Sequence, residues 1–341
     1  MADVKEKVLP EHNVNKPQNG EHGVPVHENA HDNLPAGTRV KVIVNPASGK
    51  KGGITTNAAG SDEVRRLLEI NDIDADVVET EYPEHATELA KAAAKDGYDI
   101  VVACGGDGTV GEVAKALIGS RRTALGILPL GSANNVARMM NVPFDLEGAT
   151  ALLRTGKIIN ADVGRCNGEY FLETAGVGLD AALFPILNQV DKGEYIRLWD
   201  AVKTLFRFRP RSVTMVVGKR AIRMKALVVL VANGPYWGYS VPLAPDAKVD
   251  DQKFDVVVFR NFSKTDFMRH IVGSLIHRDD KPNLNPYHNH PKLRTFTARR
   301  VQIYVSDRRP WPVHADAQPR GKTPAIIEVV PGALRVITGN E

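Results

Sequence analysis

The chain has 341 residues, 43% of them hydrophobic and 25% charged, and a formal net charge of +4 at pH 7. This balance excludes a disordered or fibrous protein, and the length favours two domains, because single cores stop growing at about 250–300 residues. The two cysteines and the lack of a long apolar run exclude a disulfide framework and a spanning helix. We therefore expect a cytoplasmic protein whose membrane contact is peripheral.

The first part of the chain predicts a tail and then an α/β unit. Residues 1–38 are polar without apolar periodicity, which predicts disorder. Strands are then predicted at 40–44, 75–79, 99–104 and 125–128, and helices at 62–70, 84–95 and 110–118. Alternation of this kind predicts a parallel sheet covered by helices.

After about Asn160 the pattern becomes strand-rich. Strands are predicted at 170–174, 212–217, 221–232 and 254–259, and Gly218-Lys219-Arg220 predicts a hairpin turn. We expect antiparallel β structure in this part of the chain.

A glycine-rich segment follows the strand at 99–104. Residues 106–111 satisfy the pattern G-x-G-x-x-G, but a dinucleotide site also needs an acid about twenty positions later to hold the ribose. The next strand ends in Leu128-Pro129-Leu130-Gly131, which disfavours an oxidoreductase. A simple tight turn at the glycines stays open as an alternative. Walker A and protein-kinase motifs are absent from the sequence.

Phosphate binding explains this segment best. Gly105, Gly106 and Gly108 lie directly before a predicted helix, where bare N–H groups and the helix dipole attract phosphate. Asp107 lies among them, and an acid beside phosphates is repelled unless Mg²⁺ bridges them or the acid accepts a proton. Both exceptions belong to phosphoryl transfer.

Several ordered motifs resemble the diacylglycerol kinase catalytic family of bacterial soluble type, which is related to sphingosine and ceramide kinases. They are Asn45-Pro46-Ala47-Ser48-Gly49, Gly105-Gly106-Asp107-Gly108-Thr109, and the segments 129–138, 176–181 and 243–247. The resemblance extends from about Lys41 to Ile337 and leaves only the tail outside.

The resemblance implies an α/β plus β fold. A doubly wound-like α/β lobe would carry the G-G-D-G-T loop, and an antiparallel β-sandwich lobe would follow it. After the tail at 1–38, residues 39–160 would form the nucleotide-binding kinase domain and residues 161–341 the lipid-substrate domain. The implied activity is ATP- and Mg²⁺-dependent phosphorylation of the hydroxyl of a diacylglycerol- or sphingosine-like lipid.

The family motifs also imply site residues. Those expected around the nucleotide are Asn45, Ser48, Gly49, Thr80, Gly105, Gly106, Asp107, Gly108, Thr109, Ser132 and Asn134. Asp107 and Asp316 are the expected catalytic carboxylates, because a lipid hydroxyl needs a positioned base. Mg²⁺ would bind Asp107 and Asp251, and the lipid would bind Asn135 and Arg138.

The sequence departs from the family pattern at several of these positions. Ala317 and Gln318 stand where the acidic D-G-E segment has Gly and Glu, and Asn135 stands where the N-D pair has its acid. Gln252 replaces the glycine of a D-G pair that resembles a structural Mg²⁺ site. A non-catalytic lipid- or nucleotide-binding relative therefore stays open, as does an NAD kinase, which shares G-G-D-G-T.

A basic stretch suggests the partner surface. Residues 197–225 contain nine Lys or Arg and one acid, Asp200, and aromatic residues alternate with arginines from Tyr195 to Arg209. Such a stripe suits an anionic membrane surface, although a core-facing helix uses similar spacing. No RRM or KH signature points to nucleic acid, and a homodimer is left open.

Overall fold

The computed structural model of the protein describes residues 34–35, 37–48, 50–51, 54–55, 60–191, 196–238, 241–276, 290–306 and 309–340. Gly49 and nearly all of the predicted tail lie outside the described residues. None of the helices in the described ranges has the length and hydropathy needed to cross a membrane.

The first lobe is an α/β unit. Its elements are β1 (Val40–Val44), β2 (Lys50–Lys51), β3 (Ile54–Thr55), α1 (Ser61–Ile70), β4 (Ala75–Glu79), α2 (His85–Lys95), β5 (Ile100–Gly105), α3 (Asp107–Leu117), β6 (Ala124–Pro129), α4 (Asn135–Met139) and α5 (Leu146–Thr155). The strands pair in parallel in the order β4-β1-β5-β6. Helix α1 packs with α5, and α2 packs with α3. Since every residue of β5 and β6 is buried, these strands form the centre of the core.

The second lobe is mostly antiparallel. Its elements are β7 (Lys157–Cys166), β8 (Glu169–Phe171), β9 (Thr174–Gly178), α6 (Leu179–Asp191), α7 (Arg197–Arg207), β10 (Arg211–Val217), β11 (Arg220–Ala232), β12 (Tyr236–Trp237), β13 (Val241–Pro242), β14 (Phe254–Arg260), α8 (Lys264–Ile276), β15 (Leu293–Ala298), β16 (Arg300–Val305), β17 (Pro312–Ala315), β18 (Gln318–Lys322) and β19 (Ala325–Thr338). Strand β11 pairs with β9, β10 and β14.

Strand β11 shows why this part of the sequence is apolar on both faces. Val229 and Val231 pack in the sandwich core, whereas Val228 and Leu230 pack in a second cluster with residues of α6 and α8. Alternate side chains of a strand point to opposite faces, so both faces of β11 are covered.

The two lobes share a continuous sheet. Strand β19 pairs with β16 and β7, and its end pairs in parallel with β6 through Val336 and Leu125. The fold class expected from the family resemblance, an α/β lobe followed by a β-sandwich lobe, is confirmed. The predicted domain boundary at 160/161 falls inside β7 and stays a prediction.

Most predicted elements are present, with two informative differences. The helix predicted from Val110 begins at Asp107, because Gly106 is extended and its carbonyl already accepts the Val110 N–H. The strand predicted at 170–174 is two strands, β8 and β9, broken at Leu172-Glu173. The hairpin joining β10 and β11 through Gly218 and Lys219 is confirmed.

Candidate active site

The predicted nucleotide residues lie in loops at one edge of the parallel sheet. The carboxyl ends of β1, β5 and β6 are neighbours, so the loops after these strands meet. The side-chain amide of Asn45 donates to Thr109 Oγ1 at 2.9 Å, and the Gly106 N–H lies 3.4 Å from Ser48 Oγ. Asn134 closes the third loop through two hydrogen bonds with Gly131, at 2.8 and 2.9 Å.

The glycines of these loops are required by close approach. A Cβ on Gly105 would lie 2.6 Å from the Thr109 side chain, and one on Gly131 would lie 2.6 Å from the Gly106 Cα. None of Gly105, Gly106 and Gly108 has a positive φ. The glycines are therefore needed because two loops touch here and backbone amides stay accessible. A left-handed turn is not the reason for them.

Asp107 is the first residue of α3 and is half-buried. Its Oδ1 accepts the Val136 N–H at 3.1 Å, and the N–H groups of Asn134 and Asn135 also stabilise the carboxylate. Burial raises the pKa of Asp107, and the nearby carboxylate of Asp316 raises it further, against the lowering effect of these N–H groups. Asp107 and Asp316 thus interact despite a separation of about two hundred residues in the chain.

Asp316 lies in the two-residue turn between β17 and β18, where Asp316 and Ala317 have φ values of 45° and 58°. Its carboxylate accepts three backbone N–H groups, from Leu172 at 2.7 Å, Glu173 at 2.9 Å and Thr174 at 3.2 Å. These bonds replace strand pairing and explain the break between β8 and β9. Burial raises the pKa of Asp316, while the three N–H groups and Lys115 oppose that rise.

Glu173 is a third carboxylate at this place, and no motif in the sequence pointed to it. Its Oε2 accepts the side-chain amide of Asn135 at 2.8 Å, and the same amide donates to the Gly238 carbonyl at 2.6 Å. Burial raises the pKa of Glu173 well above its usual range, and Asp107 and then Asp316 raise it further. A single acid within the otherwise apolar stretch from Phe171 to Gly178 was the signal available.

The three carboxylates line one end of a cavity of about 1010 Å³. Gly108, Ser132 and Asn135 line the same end. The other end is apolar and is formed by α6, α7, α8 and the β12–β13 hairpin. Its residues are Leu183, Phe184, Leu187, Leu198, Ala201, Val202, Leu205, Trp237, Val241, Phe267 and Met268. One cavity therefore joins a phosphate-binding loop to an apolar compartment.

A buried polar contact borders this cavity. The His314 Nε2 contacts the Asp180 Oδ2, and both side chains are almost fully buried. The His314 ring packs against Phe184 at 4.6 Å between centroids. A Cβ on Gly176 would collide with both polar side chains, so glycine is required at that position of β9.

The remaining predicted site residues lie around the cavity or away from it. Thr80 follows β4 at the same sheet edge, its N–H bonded to the Val44 carbonyl at 2.9 Å. Arg138 does not line the cavity: its guanidinium lies over the Phe144 ring at 4.5 Å. Asp251 is also outside the cavity lining and pairs with Lys253 at 3.6 Å.

The carboxylate end of the cavity offers only part of a metal-binding donor set. Within the described ranges, no set of three or more His, Cys, Asp or Glu side chains is arranged to hold an ion. Mg²⁺ needs fewer protein ligands than that, because it usually binds one or two carboxylates together with water and substrate phosphates. Asp107, half-buried at the phosphate loop, fits such a partial donor set.

Helix α7 has two different faces. Ala201 and Leu205 face the cavity, whereas Trp199 and Phe206 are 63% and 65% exposed on the outside. Lys203 lies 5.9 Å from the Trp199 ring. The outer face thus combines exposed aromatic and basic side chains next to the apolar end of the cavity.

Comparison with known proteins agrees with this geometry. Residues 39–166 match the diacylglycerol kinase catalytic domain, and residues 174–338 match the YegS C-terminal NAD kinase beta sandwich-like domain. A diacylglycerol kinase of Bacillus subtilis is 27% identical over 275 residues, which cover 79% of this chain and 87% of the relative. A diacylglycerol kinase of Staphylococcus saprophyticus is 25% identical, over 89% of this chain and 96% of the relative.

A solved structure supports the fold. The crystal structure of a diacylglycerol kinase from Bacillus anthracis strain Sterne superposes with a TM-score of 0.64 at 21% identity, over 89% of this chain and 97% of the other. The two matched domains together account for nearly all of the chain that follows the tail. Residues 39–166 therefore belong to the diacylglycerol kinase catalytic domain family, and residues 174–338 to the YegS C-terminal domain family.

Proposed function

We propose that this protein transfers the γ-phosphoryl group of ATP to the hydroxyl of a diacylglycerol- or sphingosine-like lipid. The observation that carries the proposal is the single cavity whose carboxylate end meets the phosphate loop and whose other end is apolar. Family membership supports the same reaction class.

The nucleotide would lie on the loops after β1, β5 and β6. The N–H groups at the start of α3 and the positive end of its dipole favour phosphate oxygens. Asn45 and Ser48 hold the first two loops together, and Ser132 lines the cavity beside them. Mg²⁺, held by Asp107 and the phosphates, would neutralise charge that develops on the transferred group.

The lipid would enter from the side of α6, α7 and α8. Its acyl or alkyl chain would occupy the apolar compartment, and its hydroxyl would reach the space bordered by Asp107, Glu173 and Asp316. Fixing the hydroxyl beside the γ-phosphate supplies much of the rate enhancement, because phosphoryl transfer depends chiefly on positioning and electrostatics.

The outer face of α7 would bring the protein to its substrate. Exposed Trp199 and Phe206 would enter the headgroup region of a bilayer, and nearby basic side chains would favour anionic lipids. In this arrangement the apolar compartment would open towards the membrane that holds the lipid. Asp251 as a second Mg²⁺ ligand and Arg138 as a lipid contact stay predictions.

The test is phosphate transfer from labelled ATP to vesicle-borne diacylglycerol, ceramide and sphingosine, with NAD as a separate acceptor. We expect a labelled lipid, and at least a hundredfold loss in Asp107→Asn. Asp145→Asn is the matched control, because Asp145 caps α5 through the Gly148 N–H and Asn caps equally well. Lipid or ATP binding without transfer would favour a non-catalytic relative, and labelled NADP would favour an NAD kinase.

A further inference from the structure

The three carboxylates at the end of the cavity differ in what occupies their oxygens. Both oxygens of Asp316 accept backbone N–H groups, three in all. Asp107 accepts the Val136 N–H and is stabilised by two further backbone N–H groups at the start of α4. These two carboxylates are engaged by the main chain, so their first effect is to hold loops in place.

Glu173 is engaged differently. Its Oε2 accepts one side-chain amide, that of Asn135, and within the described part of the chain its Oε1 accepts no hydrogen bond. Asn135 is itself buried and fixed by its bond to the Gly238 carbonyl. Glu173 is therefore held by one oxygen while the other remains available beside the cavity that it lines.

The surroundings of Glu173 also suit a proton acceptor. The charged side chains that share its cavity are Asp107, Glu112 and Lys115 of α3, Asp316 and Arg320 around β18, Glu84 before α2, Glu169 of β8 and Asp180 of α6. Burial and the two nearest carboxylates raise the pKa of Glu173 well above its usual range. A carboxylate with a raised pKa is a stronger base, which is the property that general base catalysis near neutral pH requires.

We propose that Glu173 is the general base of the transfer and that Asn135 is its positioning residue, an inference that rests on the proposed function. The lipid oxygen forms a bond to the γ-phosphorus, and the bond from that phosphorus to the β–γ bridging oxygen breaks, with its electron pair leaving on ADP. The hydroxyl proton passes to Glu173 Oε1. Asp316 holds the segment from Leu172 to Thr174 that carries the base.

The first test is Glu173→Gln, which has nearly the same shape and keeps an oxygen for the Asn135 amide. We expect kcat to fall by about 10²–10⁴-fold, the usual contribution of a general base. The KM for ATP should stay unchanged, and the melting temperature should not fall. The acidic limb of the kcat–pH profile, which reports the protonation of Glu173, should disappear in the variant.

A shortened carboxylate separates a base from a purely structural residue. Glu173→Asp keeps a carboxyl group one methylene back from its present position, whereas Glu173→Gln keeps the shape and loses the base. We expect the kcat of Glu173→Asp to exceed that of Glu173→Gln at least tenfold. Equal kcat values in the two variants would count against a base at this position.

The inference and the proposed function can fail separately. If wild-type protein phosphorylates a lipid and Glu173→Gln keeps kcat within twofold with its acidic limb intact, Glu173 is not the base and the kinase proposal stands. If the wild type phosphorylates no lipid, both the inference about Glu173 and the proposed function are wrong.

Discussion

Replacing Asp316 should lower stability as well as activity. Its carboxylate accepts three backbone N–H groups at 2.7, 2.9 and 3.2 Å. A typical hydrogen bond contributes about 0.5–1.5 kcal/mol net, so losing three in Asp316→Ala would remove about 2–4 kcal/mol. Removing a half-buried carboxylate whose pKa is raised by burial also removes its desolvation cost, which offsets part of this loss. The expected net destabilisation is about 1–3 kcal/mol.

Urea and thermal unfolding would measure this loss. One kcal/mol shifts the melting temperature of a protein of 150–250 residues by about 2–4 °C, so we expect Asp316→Ala to melt several degrees lower. Asp74→Ala, at an exposed loop aspartate, is the control and should melt with the wild type. An Asp316→Ala protein that melts within about 1 °C of wild type would refute the bracing role given to this carboxylate.

Three further predictions concern the same site and the surface beside it. Ala317→Gly should stabilise the protein by about 0.5–1 kcal/mol in urea unfolding, because Ala317 has a φ of 58° and the left-handed region strains any side chain. Gly105→Ala should weaken ATP binding at least tenfold by calorimetry, since its Cβ would lie 2.6 Å from the Thr109 side chain. Trp199→Ala should weaken binding to anionic vesicles about tenfold in sedimentation, because a 63% exposed aromatic ring is lost from the outer face of α7.

Each of these three predictions has a control variant and a result that would contradict it. Gly60→Ala, where the added Cβ meets no atom within 4 Å, should bind ATP as wild type does. Ile70→Ala, on an exposed side chain of α1, should leave vesicle binding unchanged. An unchanged or lower urea midpoint in Ala317→Gly, wild-type ATP affinity in Gly105→Ala, or equal vesicle binding by the Trp199 and Ile70 variants would contradict the corresponding argument.

The carboxylates also predict how stability depends on pH. Burial raises the pKa values of Asp107, Glu173 and Asp316 in the folded state, so folding favours their protonated forms. Their stabilising contribution is complete below the usual carboxylate range and is lost as pH rises through the raised values. In Glu173→Gln the free energy of unfolding should therefore decrease less as pH rises, and the melting temperature at pH 8 should be higher than that of wild type. A steeper loss in the variant would contradict the assignment.

The α/β half of the fold was predictable because its signals are local. Strands at 40–44 and 75–79 have the predicted bounds, because short runs rich in valine and isoleucine favour strands. The start of α3 was placed three residues late, because Gly108 was taken as a loop residue although it is helical. The fold of β19 back onto β6 joins residues more than two hundred positions apart and has no local signal.

Only those residues of the candidate site that lie within a sequence motif were predictable. The loop from Gly105 to Thr109 was identified from its residues, and the structure brings Asp107 and Asp316 to one cavity. Glu173 was missed because it reads as a polar residue within a strand, and its burial depends on the Asp316 turn and on Asn135. The amide at position 135, interpreted from sequence as a lost acid, is the hydrogen-bond donor to the Glu173 carboxylate in the bend between β8 and β9.

The most direct measurement of the central claim is transfer of the γ-phosphoryl group from labelled ATP to a lipid in anionic vesicles, compared between wild type and Asp107→Asn. If the phosphate loop and the apolar compartment serve one reaction, labelled lipid accumulates with the wild type and falls at least a hundredfold with the variant. Equal labelling by both proteins, or none by the wild type with any lipid, would contradict it.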